Sequence, residues 1–165
     1  MDYQIRHVEP GDEQTLAYIQ TESWKAAFQG ILEPEILTRC TDIDKATLMY
    51  ERLLKDNIGN GYLLEAEGAP HCIAWWDDSR EADMPEYAEL ICIHSLPDRW
   101  RKGYGSKMME KVLQDISAAG YTKVMLWVFE ENTRARQFYE KHGFTTHGKS
   151  KAAMGAIEIC YEKDL

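Results

Sequence analysis

Apolar and polar positions follow two rhythms along this chain, and the switches between them mark its elements. Tyr3 to Val8 alternates weakly, as a strand does, and Glu9-Pro10-Gly11-Asp12 ends it. Leu16, Ile19, Trp24 and Phe28 then recur at helical spacing to about Gln29, with Asp12 as the expected N-cap and Gly30 as the stop. Pro34 to Leu37 reads as a short helical turn, and Asp44 to Leu54 as a second amphipathic helix carrying Leu48, Leu53 and Leu54. Tyr62 to Ala66 and His71 to Trp76 form a hairpin around Glu67-Gly68. Trp75 and Trp76 should face opposite sides of the returning strand. Asp77 to Glu86 is a polar loop rich in acids, with Arg80 its one base.

Tyr87 to Ile116 organises the rest. It begins as a strand through Leu90, Ile91 and Ile93 and passes Pro97-Asp98 into the turn Arg99-Trp100-Arg101-Lys102-Gly103-Tyr104-Gly105. It ends as a helix with Met108, Met109, Val112, Leu113 and Ile116 on one face. Lys123 to Phe129 is a further strand, and Glu131 to His142 a helix closed by Gly143. Phe144 to Lys149 and Ala156 to Glu162 are closing strands around Gly155. The irregular alternation, with hairpins in mid-chain and at the end, predicts a mixed α/β single sheet rather than a doubly wound one.

Composition narrows the field. A length of 165 residues suits one domain, spanning 1–165, and 44% hydrophobic with 28% charged residues suits a globular chain. No apolar run reaches the roughly eighteen residues of a membrane span, and no leader opens the chain, so the expectation is cytoplasmic. Cys40, Cys72, Cys92 and Cys160 form no CxxC and read as reduced core residues. The histidines show no ligand spacing, so no metal site is expected. A net charge of -9 argues against nucleic acid as a partner. It suits a cationic substrate, and equally a solvated acidic surface.

A strand, a glycine turn and a helix N-terminus together make a phosphate cradle. Glycine lets the backbone approach, free N–H groups point outward and the helix dipole favours negative charge. The lysine of a P-loop and the three glycines of a dinucleotide fingerprint are both missing. The turn instead resembles the pyrophosphate-binding turn of the GNAT acyltransferases, Gln/Arg-x-x-Gly-x-Gly/Ala, with Gly103 and Gly105 at the glycine positions and Trp100 in place of Gln or Arg. Asn132 to Phe144 resembles the family's second signature, Asn-x-x-Ala-x-x-Phe-Tyr-x-x-x-Gly-Phe, at Asn132, Ala135, Phe138, Tyr139, Gly143 and Phe144. The likeness covers about Tyr62 to Lys163 well and the earlier residues loosely.

The resemblance implies a mostly antiparallel central sheet in which one pair of parallel strands splays apart, flanked by helices. It implies acetyl-CoA as co-substrate, its pantetheine arm lying in the splay beside Ile93 and Ser95. Its phosphates would meet Arg99, Arg101, Lys102, Gly103, Tyr104, Gly105 and Ser106. Asn132 would lie near the arm and Tyr139 near the sulfur. The reaction implied is direct transfer of an acetyl group from the thioester to a primary amine, with Tyr139 protonating the leaving thiolate. Glu89, in an Ala-Glu pair at the distance where histone-type members carry a general-base glutamate, is the leading base. By alternation it shares a face with Ile91, Ile93 and Ser95, and apolar neighbours would raise its pKa. His94 is the runner-up. Trp24, Phe28 and Glu89 are candidates for the acceptor side. The alternative reading is a catalytically weak or inactive acyl-CoA-binding module of the same fold. Either a monomer or a homodimer fits.

Overall fold

The computed structural model describes residues 1–165. Seven strands form one sheet in the order β1-β2-β3-β4-β5-β7-β6. They are β1 (Tyr3–His7), β2 (Asn60–Ala66), β3 (Ala69–Asp78), β4 (Ala88–Ser95), β5 (Lys123–Phe129), β6 (Thr145–Ala153) and β7 (Ala156–Asp164). The helices are α1 (Glu13–Ala27), α2 (Pro34–Cys40), α3 (Ile43–Lys55), α4 (Tyr104–Ala118) and α5 (Thr133–Lys141). Every neighbouring pair is antiparallel except β4 and β5. That parallel pair holds only at Ala88 opposite Val124 and Glu89 opposite Met125, and the strands then part. The mostly antiparallel sheet with one splayed parallel pair is the architecture the sequence implied.

The two faces of the sheet are packed differently. On one, α4 buries Met108, Met109, Val112 and Ile116 completely against residues of β2, β3, β4, β5 and β7, forming one continuous core. Burial of each such side chain contributes about 1.5–3 kcal/mol. The polar atoms under α4 are satisfied in series. The indole N–H of Trp76 donates to the Tyr62 hydroxyl at 2.9 Å, which donates to Asp115 at 2.9 Å. On the other face the core is divided. One cluster joins α1 and α3 to β2 and β3 through Leu16, Ile19, Tyr50, Leu63 and Trp75. A smaller one joins Met84 and Tyr87 to Met125 and Cys160. Trp75 and Trp76 thus serve opposite faces, as alternation requires.

Several local expectations change. The Asp12 carboxylate does not cap α1. It forks onto Arg6 at 2.8 Å through both oxygens, and an ion pair outcompetes the backbone N–H groups it would otherwise accept from. The turn at Pro34 continues to Cys40, with proline at the first helical position where its missing N–H costs nothing. Gly143 turns the chain at φ 88°, and the Phe144 N–H returns to the Tyr139 carbonyl at 3.1 Å, which drives Phe144 into the core. All four cysteines are free. No helix is long and apolar enough to cross a membrane.

Candidate active site

The parting of β4 and β5 opens a cleft of about 990 Å³. Of the residues expected for the cofactor, Ile93, Ser95, Arg99, Arg101, Gly103, Tyr104, Gly105, Ser106, Asn132 and Tyr139 line it, and so do Trp24 and Phe28 from α1. Lys102 is exposed outside the wall, and Glu89 is buried behind it.

A bulge decides which side chains of β4 face where. Trp75 pairs with Cys92 and Trp76 with Leu90, so Ile91 is an extra residue. Strict alternation is broken there. Glu89, Ile91 and Cys92 fall on the α1 face, and Ile93 packs against the α4 core instead. The expectation that Glu89, Ile91, Ile93 and Ser95 share a face is therefore corrected. His94 faces α1, where the Trp24 indole N–H donates to its Nε2 at 3.1 Å. This fixes the ring as the tautomer protonated at Nδ1.

The Glu89 carboxyl is not raised in pKa, as apolar neighbours in sequence led one to expect, but lowered. Its side chain is 2% exposed, and Arg80 clasps it. Nε of Arg80 donates to Oε1 at 3.1 Å, Nη2 to Oε2 at 2.6 Å, and the Arg80 backbone N–H to Oε1 at 3.0 Å. Burial pushes this carboxyl up, but the hydrogen bonds and charge of Arg80 hold it below the usual glutamate value. The pair anchors the 79–87 loop across the end of β4. Other acids of that loop are also engaged, Glu81 with Lys151 at 3.2 Å and Asp83 with Lys149 at 2.7 Å. His94, the second candidate base, is pushed down to about 4 by burial, so it is neutral near pH 7 with its Nε2 lone pair already occupied.

Two carboxylates of the cleft wall, Asp77 and Glu158, have no such partner. Glu158 on β7 stands opposite Phe129, lines the cleft and makes no ion pair within the chain. Burial raises its pKa, against the pull of Lys151 and Arg80. Sequence reading missed it because a lone glutamate in a closing strand carries no local signal. Trp24, Phe28, Trp127 and Phe129 line the same cleft and give it an aromatic wall.

At the other end lies the glycine turn at the start of α4. Gly103 caps α4 at φ 88°, a left-handed conformation that disfavours other residues. A Cβ at Gly105 would lie 3.5 Å from the Phe138 ring and 4.0 Å from the Ser95 hydroxyl, so glycine keeps the backbone of the first turn open between them. Arg99 is already committed, with Nη1 donating to the Ala66 carbonyl at 2.6 Å and Glu67 and Asp98 beside it. Trp100 donates its indole N–H to the Ser95 carbonyl at 2.9 Å, and the Arg134 guanidinium lies 3.6 Å over its ring. A second bulge, at His71 of β3, turns that ring against Tyr104 at 5.2 Å. Its Nδ1 is buried without a partner at the wall of the cleft.

The two residues carried by the second signature differ in what they do. Asn132 caps α5, its Oδ1 accepting from the Ala135 N–H at 3.2 Å. Its amide N–H groups have no partner within the chain. Tyr139 packs edge-on against Phe138 and Phe144. Its hydroxyl makes no hydrogen bond within the chain, and burial pushes its pKa well above the ordinary phenol value, so it keeps its proton at neutral pH.

Comparison with known proteins accords with this geometry. Over its full length the chain superposes on a PaiA N-acetyltransferase from Thermoplasma acidophilum in complex with coenzyme A, also covered in full, with TM-score 0.84 and 19% identity. It superposes on a ribosomal-protein-alanine N-acetyltransferase from Brucella melitensis with TM-score 0.76 and 15% identity, covering 98% of this chain and 99% of that one. Identities this low establish the fold alone. In sequence it is 24% identical over 150 residues to Rv2775 of Mycobacterium tuberculosis, described as a probable N-acetyltransferase, covering 88% of this chain and 82% of that protein. The model of the Acetyltransferase (GNAT) family matches residues 31–144, more than two thirds of the length, and the chain belongs to that family.

Proposed function

We propose that this protein transfers an acetyl group from acetyl-CoA to a primary amine by direct attack. The observation that carries the reading is the splay of β4 from β5 after Glu89 and Met125, with the unpartnered Tyr139 hydroxyl on its wall. Beyond Glu89, the β5-facing backbone groups of β4 lack a strand partner, and an extended amide chain can pair with them. The residues fit the donor: an open glycine turn at a helix start, the free amide of Asn132 and the orphaned Nδ1 of His71 all lie along the cleft. The thioester supplies the activated acyl group. Tyr139 donates its proton toward the departing sulfur, and a backbone N–H of β4 near its bulge supports the oxyanion.

On the acceptor side we assign the carboxylate role to Glu158 rather than Glu89. An alkylammonium of pKa ~10 must lose a proton before attack. A half-buried, unpaired glutamate with a raised pKa can hold that ammonium and take its proton, whereas Glu89 is tied to Arg80. The aromatic rings beside Glu158 suit a cationic amine.

The test is release of free thiol from acetyl-CoA over a panel of amines, repeated with Glu158→Gln. Turnover with cationic amines, with KM raised in the variant, supports the assignment. CoA binding without thiol release from any amine would favour the binding-module reading. A KM unchanged in Glu158→Gln would remove that residue from the acceptor site.

A further inference from the structure

In a chain of net charge -9, three cations gather around the glycine turn with no acid in ion-pair contact. Arg101, Lys102 and Arg134 enter none of the ion pairs of the molecule, whereas Arg99 in the same turn lies between Glu67 and Asp98. Arg101 is held in the left-handed region at φ 66°, an unfavourable conformation for a residue with a side chain. Arg101 and Arg134 are near enough for their charges to oppose one another. The fold has gathered like charge and left it uncompensated.

Arg134 is the one whose position is fixed. It lies in the first turn of α5, and its guanidinium is stacked 3.6 Å over the Trp100 ring. That ring is itself locked by the 2.9 Å bond from its N–H to the Ser95 carbonyl, at the end of β4. A guanidinium held over an indole face leaves N–H groups at its edge, and those groups match two oxygens of a phosphate. Arg134 stands between the main cleft and a second hollow of about 390 Å³ that also takes in Trp100, Asn132 and Ala27. It therefore reaches the rim of the glycine turn from the opposite helix.

We propose that Trp100 and Arg134 act as one clamp on a phosphate of the acyl donor, the indole holding the guanidinium that makes the contact. The inference rests on the reading of the cleft as a CoA site. It also gives Trp100 a purpose where the family's turn carries Gln or Arg: the cation is supplied by Arg134 across the cleft instead.

Calorimetric titration with CoA, at low and moderate salt, tests the clamp. Loss of one charge-assisted contact corresponds to about ten-fold weaker binding or more. Arg134→Gln should show that loss together with a weaker dependence on salt. Arg134→Lys, which keeps charge without a planar stack, should fall between it and the parent. Trp100→Leu should also weaken binding, and the double variant Trp100→Leu/Arg134→Gln should bind no worse than Arg134→Gln alone, because the two side chains act as a unit. Arg134→Gln alone decides the matter if the tryptophan variants fold poorly. Equal CoA affinity in Arg134→Gln and parent, or losses that add in the double variant, would overturn the clamp and leave the CoA site standing. A parent that does not bind CoA would remove both.

Discussion

Arg80 and Glu89 make a pair whose two halves should be unequal under mutation. The Glu89 side chain is 2% exposed and Arg80 is 64% exposed. Removing Arg80 strands a buried carboxylate with only a backbone N–H donor, and breaking such a pair costs about 3 kcal/mol even after allowing for water around the arginine. Glu89→Gln removes the charge instead. Its amide oxygen can still accept from the Arg80 N–H, and the freed guanidinium turns to solvent, so the cost is about 1 kcal/mol. For a domain of this length those figures correspond to Tm losses of about 6–12 °C and 2–4 °C. The pH dependence separates them further. In the parent, Glu89 sits below its ordinary value, so the pair's contribution is complete above that value and is lost as pH falls through the lowered one. In Arg80→Ala, burial, the largest influence on this carboxyl, is opposed only by the backbone N–H of residue 80 and the charge of Lys151, and it raises Glu89 above its unfolded value. The deficit relative to parent is then largest near pH 7 and shrinks as pH falls toward ~4.3. Urea unfolding followed by tryptophan fluorescence from pH 7 to 5 measures this. A deficit independent of pH, or an Arg80→Ala loss no larger than that of Glu89→Gln, would refute the account. Because the pair pins the 79–87 loop, both variants should also raise KM for the amine.

Tyr139→Phe should lower kcat on the order of 10²-fold and leave CoA affinity unchanged, since the ring still packs on Phe138 and Phe144. Thiol release and calorimetry together check this, and an unchanged kcat would reduce Tyr139 to a packing residue. Gly105→Val should abolish the rise in Tm that CoA produces, because a branched side chain would fill the gap between Phe138 and Ser95. A retained shift would mean that phosphates bind elsewhere. His94, depressed to about 4 against an unfolded value of ~6.5, contributes stability that is present above that unfolded value and lost as pH falls toward 4. His94→Gln should flatten the fall in Tm between pH 6.5 and 5, and an unaltered profile would count against burial as the cause.

What the sequence disclosed and what it hid divide along a physical line. Helical and strand rhythms located every element, because burying one face of each is a local requirement that adjacent residues record. The boundaries moved where hairpin ladders run on past the apolar stretch that marks each strand: β2 begins at Asn60, β3 runs on to Asp78, and β6 extends to Ala153. Asn132 and Tyr139 were legible because a short helix concentrates them in one motif. The facing of β4 was not, since a bulge at Ile91 uses an ordinary strand residue and leaves no glycine to mark it. Nor were the partnerships of His94 with Trp24, seventy residues away, or of Trp100 with Arg134. Glu89 was misread in environment rather than position, because its nearest neighbours in sequence are apolar and its nearest neighbour in space is Arg80.

The division of the core has a mechanical consequence. The sheet consists of two blocks, β1 to β4 and β5 to β7, each contiguous in sequence and joined by a ladder of two residue pairs. On one face α4 bridges both blocks through an unbroken core and serves as the spine. On the other, only thin contacts cross between the blocks: Met84 and Tyr87 of the loop before β4 meet Met125 and Cys160, and Phe28 at the end of α1 meets Phe129. Such a body should flex most easily like a book bound along α4, with the side toward α1 and the 79–87 loop yielding before the glycine turn, which is attached to the spine. Acceptors of different width could then be admitted without disturbing the donor end. In hydrogen exchange, amides of β4 beyond Glu89 should open with less free energy than those of β3, and a molecule spanning the gap should stitch the two pages together.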